Sequence, residues 1–68
     1  MPQTEAIKQM ALSEILQQYP GSESVLDQYG LLLYAKTETA RHENLEASAL
    51  VHGVNIDQLI RDLMAQLS

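Results

Sequence analysis

Cysteine is absent from this 68-residue chain. That excludes disulfide bonds, thiol redox chemistry, a Cys-ligated iron–sulfur cluster and a thiolate zinc site. Basic residues are few: Lys8, Lys36, Arg41 and Arg61 stand against nine acidic side chains, for a net charge of -5. The four are scattered, so no basic face exists to neutralise phosphates, and nucleic acid should be repelled. The three glycines lie far apart, which rules out a glycine-rich phosphate loop. No stretch approaches the ~20 apolar residues of a membrane span. Met1 to Ile15 carries Glu5, Lys8 and Glu14 among its apolar residues and so lacks the continuous apolar core of a signal peptide. These absences lead us to expect a cytoplasmic protein with no membrane contact.

A chain of this length forms one domain, residues 1–68, and buries only about 60% of the surface its unfolded form exposes. With disulfides excluded, its stability must come from helix packing, a partner or second copy, or a metal held by His and carboxylates. Breakers at Pro2, Pro20-Gly21, Gly30 and Gly53 divide it into short pieces, none of which alternates apolar and polar residues for long. The expected class is all-α, a compact bundle of four to five short helices crossing at steep angles.

Thr4 to Gln18 carries Ile7, Ala11 and Ile15 on one stripe, widened by Leu12, Leu16 and Tyr19, and Tyr19-Pro20 ends it. A second helix is predicted over about 23–29, capped by Ser22 or Ser24 and stopped by Gly30. A third, about 45–52, opens at Asn44 and closes at Gly53. The fourth opens with Asn55 and Gln58 at capping-box spacing and continues through Ile56, Leu59, Ile60, Leu63 and Leu67. The expected core is Leu12, Ile15, Leu16, Val25, Leu26, Tyr29, Leu45, Ala49, Val54, Leu59, Ile60 and Leu63, with either Ser48 or His52 completing the inward edge of the third helix.

Few residues carry chemistry. Leu31, Leu32, Leu33 and Tyr34 form an apolar run between Gly30 and Ala35-Lys36. The run either fills the small core or leaves one or two side chains exposed as a contact surface, because contiguous residues cannot all face one way. Glu38, His42 and Glu46 would line one face if helix were continuous across them, two carboxylates and an imidazole able to hold zinc or iron. Asn44 as a helix cap interrupts that face, and His52 lies about 240° around a helix from Glu46. Next to Gly53, His52 is placed to bond the last carbonyls of its helix or favour the negative end of the helix dipole. Asp57 and Asp62, and the set Lys8, Glu14, Gln17 and Gln18, read as solvated. Ser13, Ser22, Ser24, Ser48 and Ser68 occupy cap-like, helical or terminal settings with no Ser–His–acid order, so no enzyme is expected.

The ordered string Met10, Leu12, Glu14-Ile15-Leu16, Tyr19-Pro20, Val25, Tyr29-Gly30, Asn44-Leu45-Glu46, His52-Gly53-Val54, Leu59 and Leu63 carries a likeness. It resembles the hybrid cluster protein-associated disulfide redox domain and, more distantly, the N-terminal domain of the iron–sulfur cluster repair di-iron proteins. The match covers about residues 7–63 and is densest over 12–20 and 44–54. The resemblance implies a compact bundle of short helices, an irregular lead-in over 1–10 before a helix from Ala11, and a functional loop after Gly30. Relatives often have a Thr cap where this chain has Ala11, which cannot cap. The family's Cys-x-x-Cys falls on Leu33 and Lys36, Ser48 departs from its helical pattern, and the spacing from Gly30 to Asn44 is about one residue longer than usual.

Three functions follow as expectations. The first is a non-catalytic protein-interaction module, docking a protein partner or a second copy through Leu31, Leu32, Leu33, Tyr34 and Lys36, with no cofactor. The alternative is a metal or haem carrier using His42 or His52 with carboxylates such as Glu46. The third is an inhibitor whose acidic surface covers a basic site, marked by binding that collapses with added salt.

Overall fold

The structure, a computed structural model, describes residues 3–67. The breaker at Pro2 and the terminal Ser68 lie outside the described residues. Six α-helices follow one another: α1 (Thr4–Lys8), α2 (Leu12–Gln18), α3 (Ser22–Gln28), α4 (Leu32–Ala35), α5 (Leu45–Val51) and α6 (Ile56–Leu67), with a 3-10 turn over Thr39–Arg41 before α5. No strand occurs among the described residues, only an isolated bridge between Ala11 and Asn44. The class is all-α, with one helix more than the upper end of the expected range. No described helix is long and apolar enough to cross a membrane.

The extra helix comes from the N-terminal piece. The lead-in is not irregular: Thr4–Lys8 is helical and delivers Ile7, fully buried, to the core. Nor is it one helix through Gln18. The chain breaks at Gln9-Met10 because α5 claims its backbone there. Leu45 N–H donates to the Met10 carbonyl at 2.8 Å, and Asn44 Nδ2 reaches Gln9 Oε1 at 3.1 Å. α2 then restarts behind Ala11, which has no side-chain acceptor. Only the reverse half of a capping box forms, Glu14 Oε1 accepting the Ala11 N–H at 3.0 Å.

Caps and stops set the remaining boundaries. Asn44 Oδ1 accepts from Ala47 N–H at 2.8 Å and Asn55 Oδ1 from Gln58 N–H at 3.0 Å, the two side-chain caps anticipated for α5 and α6. α3 departs from expectation. It begins at Ser22 behind Gly21, and neither serine caps it. Ser22, fully buried, turns its hydroxyl onto the Ile15 carbonyl, and Ser24 Oγ bonds the Gly21 carbonyl. α3 and α5 end alike. Gly30 (φ 73) and Gly53 (φ 67) sit in the left-handed region. Leu31 N–H donates to Leu26 and Gly30 N–H to Asp27, while Val54 N–H donates to Ala49 and Gly53 N–H to Leu50. Both are the paired bonds of a Schellman stop.

One apolar cluster fills the centre: Ile7, Leu12, Ile15, Val25, Leu26, Leu31, Ala35, Ala40, Leu45, Ala49, Leu59, Ile60 and Leu63. Each fully buried Leu or Ile contributes about 1.5–3 kcal/mol relative to exposure. Leu16, Tyr29 and Val54, expected inside, are half-buried and pack on its edge. Ile7 and Ala11 of the N-terminal stripe are buried, as is Leu31, which the apolar run left open between core and surface. Ala35 and Ala40 are buried without having been anticipated, and Ser48 rather than His52 completes the inward edge of α5. α3 and α6 form the most extensive helix pair, joined at its edge by a hydrogen bond from the Tyr29 hydroxyl to Asp62 Oδ2. Asp62 is therefore a partner in packing rather than a solvated charge, whereas Asp57 is exposed.

Candidate docking surface

The apolar run after Gly30 is resolved residue by residue. The Schellman stop of α3 directs Leu31 inward, where it is fully buried, and Ala35 follows one turn later on the same inward side. Leu31 therefore belongs to the core and offers nothing to a partner. Leu32 and Tyr34 flank this axis, half-buried, and Leu33 points away from it at 79% exposure. Leu32 lines a cleft with Pro20, Gly21, Glu23, Ser24, Asp27 and Gln66. Lys36 is exposed three residues beyond Leu33, so the two share the outward side of α4.

Tyr34 ties α4 to the elements beyond it. Its hydroxyl donates to Glu43 Oε1, which also accepts from the buried Ser48 hydroxyl at 3.0 Å. Its ring meets His52 edge-on, with centroids 4.3 Å apart. His52 Nδ1–H donates to the Ser48 carbonyl at 2.9 Å, the capping role its position before Gly53 suggests. One carboxylate just before α5 and one imidazole at its C-terminal end thus hold the turn of α4 against that helix.

The second apolar surface has no counterpart in the sequence reading. Inward-facing Leu45, Ser48 and Ala49 leave Ala47, Leu50 and Val51 on the opposite side of α5, at ~100° per residue. Leu50 is 82% and Val51 68% exposed. With Leu33 they are the large hydrophobic side chains left most open on the described surface. A groove of about 410 Å³ runs between α5 and the start of α6, lined by Asn44, Glu46, Ala47, Leu50, Val54 and Ile56. The available signal was the pair Leu50-Val51 just before a glycine stop, one residue out of phase with the inward positions Leu45 and Ala49.

The metal candidates are not brought together. Glu38 and His42 meet at 3.8 Å between Oε1 and Nε2, both largely exposed, in the 3-10 turn and its flank. Glu46 lies beyond the Asn44 cap on α5, and His52 is engaged with Ser48 and Tyr34. Among the described residues, no three His, Asp or Glu side chains are grouped to hold a metal ion.

Both bonded tyrosines hold their protons tightly. The Tyr29 pKa is raised above its ordinary value, first by the hydrogen bond to Asp62, then by partial burial and the charge of Asp62, with Arg61 opposing. The Tyr34 pKa is raised by the hydrogen bond to Glu43, then by burial and that carboxylate's charge. A proton bound more tightly in the folded state stabilises the fold fully below the unfolded tyrosine value of about 10. That contribution is lost as pH rises from there through the folded pKa. The melting midpoint should therefore fall above about pH 10. The Tyr29→Phe/Tyr34→Phe double variant, melted across the same series, should show a shallower fall. An equal fall would detach it from these two hydroxyls.

Comparison with protein-family models, with curated proteins and with solved structures finds no match for this chain.

Proposed function

We propose that the chain is a non-catalytic protein-interaction module, docking through apolar side chains on the outer sides of α4 and α5. The observation that carries this reading is the exposure of Leu33, Leu50 and Val51 on a chain too small to waste apolar area. Folding leaves these three in water while it buries every other leucine, isoleucine and valine fully or in part. Each is held on a helix fixed to the core, so presenting it to a partner requires little reordering.

The likeness to the disulfide redox domain supports the same reading. Its two thiol positions fall on Leu33 and Lys36, and both are exposed, as groups that must reach a partner need to be. In this reading the turn that presents thiols in relatives presents an apolar and a basic side chain here, and contact replaces exchange chemistry.

The test separates docking from folding. Leu33→Asp and Leu50→Asp each change an exposed side chain and should leave far-UV circular dichroism nearly unchanged. Stability should stay within about 0.5 kcal/mol for Leu33→Asp and about 1 kcal/mol for Leu50→Asp, which the dipole opposes in the last turn of α5. Tagged native chain, cross-linked in its own cells and quantified against these variants, should lose its specific adduct or its self-association in at least one of them. Association that survives both substitutions would remove the reading.

A further inference from the structure

We propose that the groove between α5 and the start of α6 seats an amphipathic helix of a partner protein, flanked by lysine or arginine. This rests on the interaction-module reading and names the chemistry of its partner. The wall is apolar, with Ala47, Leu50, Val54 and Ile56 contributing side chains, and the charged residue that lines it is Glu46. Asp57 stands beside Ile56 in the first turn of α6 and is exposed. No basic side chain lines the groove; Lys8 and Arg41 are paired with Glu5 and Glu38 elsewhere. An apolar floor with an acidic rim, on a chain of net charge -5, selects apolar anchors bordered by positive charge.

Other occupants fit less well. A small ligand is normally enclosed on most sides, whereas Leu50 in this wall is 82% exposed and needs a covering body larger than the groove. A second copy docking through the same face would bring two acidic rims into one interface with no basic groove residue to offset them, because a two-fold interface repeats one patch on both sides. Anionic membrane and nucleic acid meet the same acidic rim. Among peptide modes, strand addition needs a sheet edge, and the described residues form no strand. Polyproline recognition needs aromatic walls, and none of the three tyrosines lines the groove. Helix-in-groove docking remains, with anchors at i, i+3, i+4 and i+7.

The test uses the full chain and two synthetic helical peptides with leucine at those anchors, one with lysine and one with glutamate at the remaining positions. The lysine peptide should shift amide resonances over residues 46–57. Its affinity should fall at least tenfold in Leu50→Asp, even though that change makes the protein more negative. Glu46→Lys with Asp57→Lys should weaken the lysine peptide and strengthen the glutamate peptide. Undiminished binding to Leu50→Asp would reduce the effect to bulk charge and overturn the proposal. Shifts confined to Leu33, Tyr34 and Lys36 would also overturn it while leaving the interaction-module reading standing. Concentration-dependent shifts at the groove without peptide would overturn it in favour of a second copy, and binding of the chain to anionic vesicles in favour of a membrane. If Leu33→Asp and Leu50→Asp both leave cellular association intact, the parent reading fails independently of the peptide result.

Discussion

Leu31→Asp should unfold the domain, whereas Leu33→Asp, two positions along the same turn, should leave it folded. Leu31 is fully buried in the central cluster. Truncating such a leucine costs about 2–5 kcal/mol. Placing an unpaired carboxylate there adds several kcal/mol more. Native stability runs near 0.05–0.15 kcal/mol per residue, or roughly 3–10 kcal/mol for a chain of this length. The substitution therefore consumes most or all of the margin. Leu33 is 79% exposed, and an acidic side chain in the first turn of a helix is not opposed by the helix dipole. Thermal melts and amide-resonance dispersion of the two variants at one pH check the contrast. Unfolding by both, or by neither, would show that the turn of α4 does not sort these leucines as described.

That contrast also shows what was legible in the sequence and what was not. The end of α3, the boundaries of α5 and the start of α6 were readable because their signals are local: Asn44 and Asn55 each cap within three residues, and Gly30 and Gly53 stop α3 and α5 through bonds to the preceding turn. The gap at Gln9-Met10 was not readable from the periodicity, because the residues that bond there, 44 and 45, lie far along the chain, although the resemblance implied a helix start at Ala11. The stripe of Ile7, Ala11 and Ile15 nevertheless identified the inward side correctly, and all three are buried across the interruption. The periodicity survived although the helix did not. Ser22 and Ser24 misled for the opposite reason: good capping residues were present, but their hydroxyls bond carbonyls elsewhere.

The candidate surface divides in the same way. The apolar run 31–34 could be identified as a place where something must remain exposed, but which side chain it would be depends on the phase set by Gly30. With Leu31 placed inward by the Schellman bond, Ala35 follows it and Leu33 must point out. The groove was illegible because it is formed by two helices on either side of Gly53, and neither alone marks a concavity. The alignment of Glu38, His42 and Glu46 required a continuous helix, and the Asn44 cap and extended backbone at that residue break it.

Replacing both left-handed glycines should cost nearly as much as a core truncation without disturbing a single core contact. A Cβ built at Gly30 or Gly53 meets nothing within 4 Å, so the cost of Gly30→Ala or Gly53→Ala is that of the backbone conformation alone. A non-glycine residue in the left-handed region costs about 1–2 kcal/mol. For a domain of this size, that corresponds to a fall in melting midpoint of roughly 4–16 °C for each replacement. The two glycines bond different carbonyls, of Asp27 and Leu50, so the effects should add in the double variant. Asparagine visits the same region more readily, so Gly30→Asn and Gly53→Asn should fall between glycine and alanine. Equal losses for Asn and Ala would show that something other than backbone conformation sets the cost. The pair also differs in what it positions. Gly30 delivers Leu31 to the core, whereas Gly53 delivers Val54 to the wall of the α5–α6 groove. At a temperature where both single Ala variants remain folded, Gly53→Ala should weaken binding of the lysine-bordered helix more than Gly30→Ala does. Equal weakening would mean that the groove responds to global stability rather than to the turn that builds its wall.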